Sequence, residues 1–176
     1  MTALPADLSP ERADLITLLR RHRGFLLTTV QDLTDDQARL TPTVSELCLG
    51  GLIKHVAATE AHWAEFVVSG PQEGGLGDTE FTPEVIEMFR DGFRLLPDET
   101  LAGVLADYAD VAARTDALVA EVDLDAAQPL PRAPWFSPGE AWTARRAFIH
   151  IIAETSQHAG HADILRESID GHKTMG

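Results

Sequence analysis

The chain predicts an all-α fold, one domain over residues 1–176 built as a four-helix bundle with long crossover connections. Three observations carry that prediction. Four segments repeat apolar residues at three- and four-residue steps, the spacing that lines one face of a helix. Glycine- and proline-rich stretches too long for simple turns separate the later segments, as in bundles whose helices are joined by crossovers. No segment shows the alternation of a half-buried strand, so no sheet is expected.

Residues 1–8 read as a loose tail. Ser9 as N-cap and Pro10 at the first helical position open the first long helix. Its buried side is read as Leu15, Leu18, Leu19, His22, Phe25, Leu26 and Val30. Thr34 with Gln37 three residues later is a capping-box pattern, which predicts one short turn over residues 35–40. The second long helix is expected from about Cys48 to Val68, with Leu52, Ile53, Val56, Phe66 and Val67 inward. Gly50 and Gly51 near its start cost helix stability but let another backbone come close.

Residues 69–82 form a Gly-rich connection without periodicity, expected to be mobile and of the length used by lids and crossovers. The apolar run FTPEVIEMFRDGF predicts either a short helix or a loop folded over the bundle. Pro97, Asp98 and Glu99 announce the third long helix, with Leu101, Val104, Leu105, Tyr108, Val111, Ala112, Thr115 and Leu118 at helical spacing and an end near Val122. Residues 123–140 contain Pro129, Pro131, Pro134 and Pro138, which exclude a helix; this stretch is expected to cross the bundle end as a loop anchored by Trp135 and Phe136. Thr143 as N-cap and Gly171 past the end bound the fourth long helix, whose apolar residues are Phe148, Ile151, Ile152, Thr155, Ala159, Ala162 and Leu165.

Composition narrows the function classes. A formal charge of −14 argues against a grip on phosphate backbones, so nucleic acid is not an expected partner. Cys48 is the single cysteine, which rules out an intramolecular disulfide and fits a reducing compartment. The N-terminus carries acids and prolines in place of a signal peptide, and no run is long enough to span a bilayer. A cytoplasmic protein is expected, with no membrane partner. Lys54 and Lys173 are the sole lysines among many arginines, a bias common in high-GC bacteria.

The chemistry concentrates on the fourth helix. His150, Glu154, His158 and His161 follow one another at three- and four-residue steps and so share a face. Glu154 and His158, one turn apart, can supply two corners of a metal site. A third ligand must come from another helix, and His55, set among the core positions of the second, is the best candidate. The alternative is that these groups are core polar residues that satisfy one another. His150 and His161 read as groups that orient the ligands. His62 lies about 10 Å along the axis from His55, too far to share an ion, and reads as a rim residue. His22 and Cys48 read as packing, Trp63, Trp135 and Trp142 as caps of the bundle, and Arg145 and Arg146 as a solvated face.

The runs LGGLIKHVAATEAHW and ETSQHAGHADILRESIDG resemble the DinB-like, damage-inducible four-helix bundle proteins, which include the mycothiol-dependent maleylpyruvate isomerase and bacillithiol transferases. The resemblance covers most of the chain. It implies an up-down-down-up bundle, a divalent metal, zinc or nickel, on His55, Glu154 and His158, and a homodimer as a candidate assembly. The two-His, one-Glu set resembles the mycothiol isomerase branch. That isomerase has a further C-terminal domain, whereas this sequence ends at Gly176, and the family's HRGQ signature appears here as His158, Ala159, Gly160 and His161.

The resulting expectation is a metal-dependent thiol S-transferase that joins a low-molecular-weight thiol, mycothiol if the source is an actinobacterium, to an electrophilic small molecule. His161 would relay protons. A metal-dependent hydrolase and a non-catalytic metal- or ligand-binding dimer are the alternatives.

Overall fold

The computed structural model describes residues 7–71 and 82–174 of the chain. In chain order the elements are α1 (Pro10–Thr28), α2 (Asp35–Arg39), α3 (Leu49–Ser69), α4 (Pro83–Asp91), α5 (Leu101–Glu121), β1 (Ala127–Pro129), β2 (Ala141–Thr143) and α6 (Ala144–Asp170). The four long helices α1, α3, α5 and α6 are those expected, and the fold is an all-α bundle. Among the described residues no helix is long and apolar enough to cross a membrane. Most of the Gly-rich connection and of the N-terminal tail lies outside the described residues.

The helix starts follow the local chemistry. Ser9, Thr34, Thr82, Thr100 and Thr143 each accept a hydrogen bond from a backbone N–H three residues on, satisfying one of the donors that a helix start leaves open. Thr34 and Gln37 form the reciprocal capping box. Gly171 closes α6 at φ 78°, a left-handed conformation that glycine adopts without strain.

Side-chain contacts orient the helices. Glu11 pairs with Arg145 at one end of α1 and α6, and Arg166 donates to the carbonyls of Thr29 and Gln31 at the other, so these two helices run parallel. Arg12 reaches the carbonyl of Val122 while Asp35 accepts from Leu101 N–H, so α1 and α5 are antiparallel. His55 meets His158 and Trp63 meets His150, which sets α3 antiparallel to α6. The order is therefore up, down, down, up. Because α3 and α5 run the same way, the chain between them must traverse the length of the bundle, which accounts for the long connection containing α4.

Two apolar clusters fill the interior. One includes Leu26, Leu49, Leu52, Ile53, Val56, Val104, Tyr108, Ala162 and Leu165. The other includes Ile16, Leu19, Trp63, Phe66, Val119, Trp142, Phe148 and Ile151. Between them lies a polar layer. Arg23 of α1, buried, forms a bidentate pair with Glu60 of α3 at 2.6 and 3.0 Å and a further bond of 2.7 Å with Asp116 of α5. Asp116 also receives Arg20 at 2.7 Å. Burial works against the Arg23 charge; the hydrogen bonds and charges of Glu60 and then of Asp116 more than offset it, so the guanidinium holds its proton more firmly than usual. Thr155 of α6 and Thr115 of α5, both buried, complete the layer by bonding to the carbonyls one turn back.

Arg23 also explains the one helix face that the sequence misplaces. Two apolar stripes overlap on α1, and the stripe through Ile16, Leu19, Arg23, Leu26 and Val30 is buried, while Leu18 is 41% exposed. His22 and Phe25 sit at the margin, half-buried, with their rings edge to face. An arginine within the true inward stripe makes that stripe look broken in the sequence. Two further expectations are corrected. Residues 127–129 and 141–143 pair as a small antiparallel ladder, Ala127 with Thr143 and Pro129 with Ala141, where no sheet was expected. Three residues are too few to show alternation, and Pro129 is tolerated at the end of an edge strand. Trp135, expected as an anchor, is 63% exposed; Phe136 alone is packed, against Trp142.

The paired glycines perform the role expected of them. The backbone of Phe93 and Arg94 crosses α3 so closely at Gly51 that a methyl group there would overlap the Phe93 carbonyl, and Leu95 lies against Gly50. Lys54 fastens the crossing, with Nζ 2.6 Å from Glu99 and 3.1 Å from the Asp91 carbonyl. Cys48 is buried at the helix start, where its Sγ accepts from Gly51 N–H.

Two measurements check these assignments. Glu60→Ala, which strands Arg23 with half its partners, lowers unfolding free energy by about 3 kcal/mol in denaturant titrations, whereas the apolar pair Arg23→Met with Glu60→Leu recovers most of that loss. Gly51→Ala destabilises by about 1–3 kcal/mol, because the crossing backbone must move away.

Candidate functional site

The antiparallel contact of α3 and α6 brings His55 and His158 together, with ring centres 4.9 Å apart and planes at 78°. Glu154, one turn before His158, places Oε2 3.6 Å from His158 Nε2 and Oε1 3.5 Å from His150 Nε2. The carboxylate therefore lies between two imidazoles of its own helix. His161 follows at 5.5 Å from the His158 ring and is exposed. His62 is exposed and contacts Trp63.

His55 has a second neighbour that the sequence does not single out. The Phe93 ring stacks on it at 3.9 Å with an interplanar angle of 23°. The glycine pair and Lys54 put Phe93 there, since they bring the crossing segment down onto α3. The signal in the sequence was the glycine pair, which announces a close approach without naming what approaches.

The far end of the row is aromatic. Trp63 and Trp142 stack at 4.8 Å, and the His150 ring meets both edge-on at 4.9 and 5.0 Å. The Arg146 guanidinium lies 4.4 Å over Trp142, whose indole N–H donates to Glu140 at 3.0 Å. Arg146 thus covers an indole face and pairs with Glu140, and Arg145 ties α6 to Glu11 and Asp125.

Burial favours the neutral form of His55, His158 and His150. His55 is pushed down to about 4 by desolvation and then by the neighbouring His158. His158 is lowered by burial, with Glu154 opposing and His161 adding to the shift. His150 is lowered by burial, against Glu154. Neutral imidazole is the form that binds a metal.

Among the described residues no three His, Cys, Asp or Glu side chains close into a metal-holding group. His55, Glu154 and His158 are nonetheless of metal-ligating type, two imidazoles and a carboxylate on facing helices. His158 Nδ1 is also buried without a hydrogen-bond partner, an arrangement that costs stability unless something is bound nearby to repay it. A cavity of about 500 Å³ opens elsewhere, between α1 and α5, lined by Leu27, Val30, Leu105 and Tyr108 with no imidazole. It lies across the bundle from the α3–α6 seam, and the titratable cluster, rather than cavity size, marks the candidate site.

The family model for mycothiol-S-transferases matches residues 14–171. The chain belongs to this family. The mycothiol-S-transferases are DinB-like, in agreement with the motifs on α3 and α6. No curated protein matches the sequence. Among solved structures, the chain is similar to a conserved protein from Enterococcus faecalis, with a TM-score of 0.63 and 16% identity over 97% of this chain and 100% of the other. That likeness concerns the fold alone. Membership of the mycothiol-S-transferases supplies the link to a small-molecule thiol that the fold does not.

Proposed function

We propose that the chain is a metal-dependent S-transferase that joins mycothiol to an electrophilic small molecule, with His55, Glu154 and His158 holding a zinc or nickel ion. The observation that carries this reading is the meeting of His55 with His158 across the α3–α6 seam, with Glu154 beside His158, in a chain that matches the mycothiol-S-transferases over residues 14–171. When bound, such an ion supplies the positive charge that keeps a thiol deprotonated near neutral pH.

The chain's own residues do the rest. Two ligands on α6 and one on α3 make the site depend on the packing of those helices. Phe93 covers one face of His55 and excludes water from that side. His161, exposed beside His158, accepts the thiol proton; as the sulfur bonds to the electrophilic carbon, the electron pair of the bond broken there, to a leaving group or of a carbon–carbon double bond, moves to the leaving group or the adjacent carbon, which takes up the proton. As a metal ligand, Glu154 would not serve as the base of a hydrolytic reaction.

The untagged protein is expected to carry near-stoichiometric metal, and His55→Ala and His158→Ala to lose it, by elemental analysis of folded samples. Removing the metal should lower the melting temperature, since an ion that binds only the native state at a thousandfold excess over Kd contributes about 4 kcal/mol.

With mycothiol and a panel of electrophiles, the metal-loaded protein is expected to form thioether conjugates, followed by mass spectrometry, and to lose that activity in chelator. Turnover of the same compounds without thiol would identify a hydrolase. Absence of both conjugation and thiol binding would refute the transferase reading.

A further inference from the structure

The seam between α1 and α5 opens on the side of the bundle away from the imidazoles. Polar contacts fasten the two helices at separate levels: Arg12 to the Val122 carbonyl, Arg20 and Arg23 to Asp116, and the Leu101 N–H to Asp35. Between the last two levels the walls stand apart around the cavity of about 500 Å³, faced by Leu27, Val30, Leu105, Ala109, Ala112 and Tyr108. Two of these residues are alanines, whose methyl groups fill little of the gap. The volume falls within the range of small-molecule sites. The cleft is also preformed, because its walls are tied from behind. Arg166 of α6 holds the carbonyls of Thr29 and Gln31, where the chain leaves α1, and Glu60 of α3 holds Arg23. A molecule that enters such a cleft does not have to order it first.

Charge decides what kind of molecule suits it. Arg23, buried at the floor, and its neighbour Arg20 are matched by Glu60 and Asp116, so this layer carries no net charge toward the cleft. Asp35 at the rim already accepts from the Leu101 N–H. Asp32, which also lines the cleft, is exposed, and among the described residues its carboxylate makes no hydrogen bond or ion pair. An apolar cleft with one unmatched negative charge at its mouth favours an apolar body with a positive end and disfavours a carboxylate.

We infer that the α1–α5 cleft is a second ligand site, which takes an apolar molecule bearing a single amino group: the hydrocarbon lies along Leu27, Leu105 and Ala109, and the ammonium pairs with Asp32. This site goes beyond the thiol-transfer reading and does not depend on it, since no group of the α3–α6 seam takes part.

n-Octylamine, n-octanol and n-octanoate share a chain and differ in charge, so they separate the two halves of the assignment. Each would be titrated into the full chain by calorimetry near neutral pH, at physiological salt to screen attraction to distant charges. Three variants accompany the wild type. Ala109→Trp fills the cleft; Asp32→Asn removes the charge with a residue that also accepts the left-handed φ of 59° found there; Glu121→Gln removes an exposed charge at the far end of α5. Octylamine is expected to bind the wild type one-to-one, octanol about three- to tenfold more weakly and octanoate more weakly still. Asp32→Asn should bring octylamine down to octanol, Glu121→Gln should change nothing, and Ala109→Trp should abolish binding of all three. No one-to-one binding of octylamine to the wild type overturns the inference. So does octanol or octanoate binding as tightly as the amine, full binding to a folded Ala109→Trp protein, or an equal loss in Asp32→Asn and Glu121→Gln. Should Ala109→Trp fail to fold, the comparison of Asp32→Asn with Glu121→Gln decides.

Discussion

The bundle turns on a buried guanidinium. Arg23 could not lie between two apolar clusters unless its charge were met there, because an unpaired buried ion costs several kcal/mol. Glu60 and Asp116 meet it from two other helices, so one side chain draws α1, α3 and α5 to a common level. Hydrophobic contact alone would tolerate sliding of one helix along another by a turn. A bidentate pair does not, since a slip of one turn, about 5.4 Å, would leave both charges buried and alone. The register of α3 is therefore set at Glu60, and His55 on the same helix inherits it.

The position of His55 against α6 follows from that register and from a second constraint at the other end of α3. The connection from α3 to α5 must travel the length of the bundle, and it returns across Gly50 and Gly51 because a side chain there would block it. Lys54 fastens this crossing to Glu99 and to backbone carbonyls. Phe93 is thereby laid on His55. A feature forced by topology, the close crossing, thus also shields one side of the candidate site.

On α6 the polar groups are arranged by one rigid element. His150, Glu154, His158 and His161 ride on a continuous helix of 27 residues, tied to α1 at its start by Arg145 and near its end by Arg166. The aromatic packing around His150 and the imidazole contact at His158 sit on opposite sides of Glu154. The formal charge of −14 does not suit a polyanionic partner.

Much of this was legible without coordinates, because helix signals are local. Ser9, Thr34 and Thr143 mark helix starts through bonds that span three residues, and Gly171 marks an end through its own backbone angle. The row from His150 to His161 is likewise a matter of spacing on one helix. What needed the tertiary structure was every relation between helices. Periodicity states that a face exists, not how far the helix is rotated about its axis, and so it places Leu18 inward and does not mark Arg23, whose partners lie 37 and 93 positions away. The β1–β2 ladder depends on a partner strand rather than on its own three residues, and Phe93 reaches His55 through a crossing whose path no local rule describes. Sequence by itself determined which side chains are available along each helix and at what spacing; the packing of α3 against α6 decided which of them meet, because distance across a bundle is fixed by contacts far apart in the chain.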